Sequence, residues 1–128
     1  MTLVLDAGGV TALAASRARV SELRHRGLWP AQIPAVVLTE ALTSDHRRDV
    51  AANRLLKTCQ VRDVAELECR EAARLRGATG RAGTISAVDA VVVAVAATYR
   101  DPVVVTSDPR DLGALAAHCR QAITIAAV

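Results

Sequence analysis

The chain has 128 residues, 52% of them hydrophobic, with 16 lysine and arginine residues against 13 aspartate and glutamate residues and a formal charge of +3. That length suits a single domain over residues 1–128 with one real core, and the hydrophobic share excludes a disordered chain. Trp29 and Tyr99 are the only aromatic residues, so the core must be aliphatic and offers no row of rings for stacking bases, while a small excess of arginine (Lys57 is the only lysine) points weakly to a polyanionic partner.

Apolar strand-like pieces alternate with helical stretches, the pattern of a three-layer α/β/α fold with a central, mainly parallel sheet of four to five strands. Leu3 to Leu5 reads as the first strand, and Gly8-Gly9 as a tight turn into a helix running to about Arg26. Leu28 to Ile33 contains a short second strand, after which Pro34 suits the first turn of a helix that carries Glu40 on its inner face with Val36, Val37 and Ala41. Ser44-Asp45 is placed to cap a helix through Leu55-Leu56, whose exposed side holds Arg47, Arg48 and Arg54. Val61-Arg62 makes a brief third strand, and Asp63-Val64-Ala65-Glu66 has the form of a capping box opening a helix to Arg76. Gly77 to Thr84 is a flexible loop. Ser86-Ala87-Val88-Asp89 starts a helix that ends near Tyr99, Val103 to Thr106 is the clearest strand, Asp108-Pro109 opens a helix to about His118, and Ile123 to Ile125 closes the sheet.

Four carboxylates fall where strands or short loops run into helices: Asp6, Glu40, Asp89 and Asp108. Each has apolar neighbours that must be buried, and an isolated anion beside a core is costly. In an open parallel sheet, ligands bind beyond the carboxyl ends of the strands, so these four acids would form an oxygen-rich rim suited to hard ions such as Mg²⁺ or Mn²⁺. Such ions bridge carboxylates to phosphates, which makes phosphodiester chemistry the natural use. Each acid also has a plainer reading. Asp89 and Asp108 are placed as helix caps, and Glu40 as a solvated helix residue.

Cys59, Cys69 and Cys119 are odd in number and lack Cys-x-x-Cys spacing, so reduced, buried thiols are expected in place of a disulfide framework or zinc knuckle. His25, His46 and His118 show no ligand spacing. The run from Ala90 to Ala97 is far short of the ~20 residues that span a bilayer. The opening Met1 to Asp6 has no basic stretch and meets an acid too early for a signal peptide, so a cytoplasmic protein without a membrane segment is expected.

The strand ending in Asp6, Pro34 followed by Glu40 on a helix, Ser86-Ala87-Val88-Asp89-Ala90 before an Ala/Val-rich helix, and Val105-Thr106-Ser107-Asp108-Pro109 with Asp111-Leu112 together resemble the PIN domain, in the compact form of bacterial VapC toxins. The resemblance covers essentially the whole chain. It implies a Mg²⁺- or Mn²⁺-dependent endoribonuclease that hydrolyses RNA through a metal-activated water, forms a homodimer and is silenced by a small antitoxin of the VapB type encoded beside it. Position by position, it implies Asp6 and Asp89 as central metal ligands, with Glu40 and Asp108 completing the catalytic acidic set. Asp111, one helical turn beyond Asp108, either supports a second ion or favours the positive end of its helix. Arginines at the rim would hold the RNA backbone, with Arg76, Arg81 and Arg110 as the candidates. Where many relatives carry a small hydroxyl residue two places after the first Asp, this chain has Gly8.

Two further readings stay open. Leu5-Asp6-Ala7-Gly8-Gly9-Val10 also looks like the first motif of haloacid-dehalogenase-type phosphatases, with Asp6 as nucleophile, although that chemistry wants a lysine on the site. Gly8 keeps open a PIN-like binding module without activity.

Overall fold

A computed structural model describes residues 1–128. In chain order, the elements are β1 (Thr2–Leu5), α1 (Ala7–Ala14), α2 (Arg17–His25), β2 (Gln32–Pro34), a 3₁₀ turn (Ala35–Val37) running into α3 (Leu38–Ala41), α4 (Val50–Leu56), β3 (Gln60–Arg62), α5 (Glu66–Ala78), α6 (Ala87–Ala96), β4 (Pro102–Thr106), α7 (Pro109–Ala116) and β5 (Thr124–Ala127). The five strands form one parallel sheet in the order β3-β2-β1-β4-β5. The α/β architecture expected from the alternating pattern is therefore present, with five strands.

Chain direction across the sheet reverses at β1. The chain first winds outward through β2 and β3, then returns to place β4 on the other side of β1, with Leu5 opposite Val105. Because such crossovers are right-handed, winding outward in opposite directions puts the connecting helices on opposite faces. Accordingly α1 packs with α2, α3 and α4, while α5, α6 and α7 pack together. The carboxyl ends of β1 and β4, where the winding reverses, are where an open parallel sheet places its ligand.

The core is aliphatic and centred on β1, β4 and α6. Leu3, Val4, Leu5, Val104 and Val105 of the strands join Ala90, Val92, Val93, Ala94 and Ala96 of α6 in one core, all buried. Valine is a modest helix former because its branched Cβ restricts χ1, but burying each such side chain contributes roughly 1.5–3 kcal/mol, which outweighs the propensity cost. The helix has a firm start in Ser86, whose Oγ accepts the Asp89 N–H at 3.2 Å. No helix is long and apolar enough to cross a membrane.

Several sequence expectations are corrected in detail. Gly8 and Gly9 lie inside α1 and not in a turn before it, because Asp6 itself is the cap and the helix begins at Ala7. The first helix breaks at Ala15, and Ser16 caps a second one through the Arg19 N–H. Ser44-Asp45 does not open α4. Asp45 accepts N–H bonds from Arg47 and Arg48 in a local turn, and the helix starts at Val50. The box before α5 uses Glu68, whose carboxylate takes the Ala65 N–H at 2.9 Å and grips Arg62 at 2.6 Å, so neither Asp63 nor Glu66 closes it. All three cysteines are free, but Cys69 is exposed and only Cys59 and Cys119 are partly covered.

Gly9 is needed where α1 leans on β4. A Cβ there would fall 2.3 Å from the Val105 carbonyl oxygen, which is backbone and cannot yield cheaply. Gly9→Ala is expected to cost about 1–3 kcal/mol in urea unfolding despite alanine's better helix propensity. A variant as stable as the natural chain would mean that α1 can back away from the sheet.

Candidate metal centre

The site grows out of the crevice at the β1–β4 edge. Asp6 follows the last residue of β1 and caps α1, its Oδ1 accepting the Gly9 N–H at 2.7 Å. Its other oxygen, Oδ2, accepts the Thr106 hydroxyl at the end of β4. The same hydroxyl oxygen accepts the Asp108 N–H at 2.9 Å. A hydroxyl has one proton to give and lone pairs to receive, so Thr106 ties the acid after β1 to the acid after β4. Asp6 is 5% exposed and Thr106 0%. On sequence Thr106 shows only as the end of a strand, because the Asp6 it binds lies a hundred residues away.

Asp89 enters from α6, in the first turn behind the Ser86 cap. Asp108 caps α7 through the Asp111 N–H, at 3.4 Å. Carboxylate oxygens of Asp89, Asp108 and Asp111 all lie within 4.8 Å of one another. Asp111, one of the less certain members on sequence, is thus in the tightest group, while Asp6 and Glu40 stand just outside it. Glu40 is exposed on the four-residue α3 and is near enough for its charge to be felt at Asp89.

Crowding shows in the titration of these groups. The Asp89 carboxyl is pushed up from 3.8 to about 6, first by burial and then by the charges of Asp6, Glu40, Asp108 and Asp111. Asp6 is also raised, because burial withholds water from its charge more than the bonds from Thr106 and Gly9 repay, and Asp108 adds repulsion. Five acids of one charge, two of them held above their ordinary range, form a donor set of hard oxygens that fits a divalent cation.

The three arginines of interest have different surroundings. The guanidinium of Arg76 donates to the carbonyls of Ala82 (2.6 Å) and Ile85 (3.0 Å), bracing the loop that precedes α6. Arg81, on that loop, pairs with Asp111 at 2.8 Å and so sits at the acid rim itself. Arg110 is exposed in the first turn of α7, two residues after Asp108. Lys57, the lysine a phosphatase site would need, ends α4 just before β3 begins, at the opposite edge of the parallel sheet from the acids.

Gly8 has a steric reason that the sequence did not reveal. A Cβ at this position would fall 2.0 Å from Ser107 Oγ, so the space beside the first turn of α1 is already occupied by a hydroxyl from β4's end.

Comparison with known proteins adds an independent line. The family model described as PIN domain matches residues 4–117, from β1 through α7 and across all five acids. Among solved structures, the DNA-bound VapBC of Salmonella typhimurium matches with 19% identity over 99% of this chain and 98% of that chain, at a TM-score of 0.69. VapBC2 of Rickettsia felis, bound to a promoter DNA fragment, matches with 13% identity over 100% and 99% at 0.72. FitAcB of Neisseria gonorrhoeae matches with 17% identity over 95% and 96% at 0.63. At these identities the likeness is one of fold. A search of the curated proteins gives no match.

Proposed function

The chain belongs to the PIN domain family, and from that premise we propose that it is a metal-dependent endoribonuclease, the toxin half of a VapBC-type toxin–antitoxin pair. The observation that carries the nuclease reading is the gathering of Asp89, Asp108 and Asp111 within 4.8 Å, beside Asp6 and Glu40, at the carboxyl edge of the sheet. These residues would hold Mg²⁺ or Mn²⁺, with Asp89, Asp108 and Asp111 nearest and Asp6 and Glu40 adding charge. When bound, such an ion supplies Lewis acidity at a phosphoryl oxygen and lowers the pKa of water.

The chain's own residues do the rest. Thr106 keeps Asp6 and Asp108 in one arrangement, so the site is set before substrate arrives. Arg110, exposed beside the acids, offers a guanidinium to an RNA phosphate that would otherwise meet only negative charge. Arg81 serves the same end once released from Asp111. Asp6 as a phosphatase nucleophile is disfavoured, since both its oxygens are engaged and no lysine is at hand.

A groove between α1, α2 and α4 suits the antitoxin. Leu13, Val20 and Leu55 line its cavity of about 350 Å³, bordered by Arg17, Arg24 and Arg54. An apolar segment with acidic flanks complements such a surface. The VapBC names of the structural neighbours support a partner of the VapB type.

The test is incubation of the purified chain with total RNA in Mn²⁺ and in EDTA. Cleavage in Mn²⁺ that stops in EDTA is expected. Mn²⁺ binding by calorimetry without any cleavage would refute the ribonuclease, and absence of Mn²⁺ binding with antitoxin binding intact would favour the inactive module.

A further inference from the structure

Ser107 stands between the two residues that organise the rim, Thr106 and Asp108, and is exposed at the carboxyl end of β4. Its side chain reaches over the first turn of α1, where a Cβ on Gly8 would meet its Oγ at 2.0 Å, its Cβ at 2.8 Å and its backbone N at 2.9 Å. The absence of a side chain at position 8 is therefore what lets this hydroxyl occupy the crevice between the β1–α1 and β4–α7 turns. Its seat over the backbone of Gly8 limits its freedom on that side, and a group held in place loses little entropy on making a contact.

Two hydroxyls lie side by side here with different fates. That of Thr106 is consumed inside the protein, donating to Asp6 and accepting from Asp108. That of Ser107 has no hydrogen-bond partner within the chain, on a residue that is exposed. Around it the rim is acidic, with Asp6 two residues from Gly8 and Asp108 next in sequence. A phosphodiester approaching that rim is an anion among anions, and it needs donors at the place where it must rest. A neutral hydroxyl offers one without neutralising the carboxylates, which a guanidinium does, as Arg81 does to Asp111.

Resting on the ribonuclease reading, we propose that Ser107 Oγ donates a hydrogen bond to a non-bridging oxygen of the RNA phosphodiester and positions it at the acid rim, with Gly8 as the notch that admits it. The consequence is specific to substrate. Ser107 should matter for holding RNA and not for holding the cation.

The experiment compares Ser107→Ala and Ser107→Thr with the natural chain, in steady-state cleavage of a fluorogenic RNA oligonucleotide with Mn²⁺ and in Mn²⁺ calorimetry without RNA. Ser107→Ala is expected to lower kcat/KM about tenfold, mainly through KM, with the Mn²⁺ Kd unchanged. Ser107→Thr keeps the hydroxyl and should stay within about twofold. Thermal melting of both variants checks that the fold is intact. An unchanged kcat/KM in Ser107→Ala overturns the proposal, as does a loss of Mn²⁺ affinity equal to the loss in kcat/KM. If the natural chain cleaves and Ser107→Ala matches it, only the role of Ser107 falls; if the natural chain does not cleave RNA at all, the ribonuclease reading falls with it.

Discussion

Asp89→Asn should lose Mn²⁺-dependent RNA cleavage by about a thousandfold or more and, in EDTA at pH 7, melt at a higher temperature than the natural chain. Both effects have one cause. Asp89 is pressed between burial and four like charges, which hold its carboxyl near 6 against an ordinary 3.8. A cation offsets that pressure, and several kcal/mol of charge stabilisation at the phosphoryl group depend on its being held. Without a cation the ionised group only destabilises the fold.

The pH dependence follows with a definite sign. A carboxyl whose pKa is raised by folding binds more protons in the native state than in the unfolded state, so its contribution to stability declines as pH rises. For Asp89 the decline runs from about 4 to about 6. The melting temperatures of the natural chain and Asp89→Asn in EDTA should therefore nearly coincide at pH 4 and separate by pH 7, with the natural chain lower. Adding Mn²⁺ at pH 7 should reverse the order. Parallel curves from pH 4 to 7 would mean that Asp89 is not under electrostatic strain, and wild-type cleavage by the variant would remove it from the site.

Thr106→Val should weaken Mn²⁺ binding about 10- to 100-fold while leaving every acid in place. Valine matches the shape of threonine but offers Asp6 no proton and the Asp108 N–H no acceptor. A buried carboxylate oxygen left without its donor costs roughly 1–3 kcal/mol, more for a charged group, so a loss of stability in urea should accompany the loss of affinity. Thr106→Ser retains the hydroxyl and should restore most of both. Unchanged Mn²⁺ affinity in Thr106→Val would show that Asp6 and Asp108 find their positions without this link.

Asp6 and Asp108 were legible as candidates because each follows an apolar strand that runs into a helix, and Asp89 because it follows a serine cap at the head of an Ala/Val-rich helix. Of the two acids read as caps, Asp108 does cap α7, whereas Asp89 lies behind the Ser86 cap of α6, and Asp6 caps α1 although only its place after a strand was read. A cap fixes the carboxylate at the mouth of the crevice, and the crevice collects several of them. Asp111 was harder to read, since an acid in a first helical turn is common. Its membership depends on how α7 is angled against α6. Arg76 and Arg81, five residues apart and similar on sequence, part ways because one guanidinium reaches the Ala82 and Ile85 carbonyls and the other reaches Asp111.

Periodicity, capping residues and β-branched runs are local quantities, and from them the sequence alone determined the alternation of strands and helices, the parallel sheet and the acids that end beside its strands. Which of these meet is not local. The return of the chain to set β4 against β1 brings Thr106 to Asp6 and Ser107 over Gly8, and the packing of α6 on α7 closes Asp89, Asp108 and Asp111 into one group. Those contacts join residues separated by as many as a hundred positions, at distances set by how the aliphatic core packs, and so only the tertiary structure decided them.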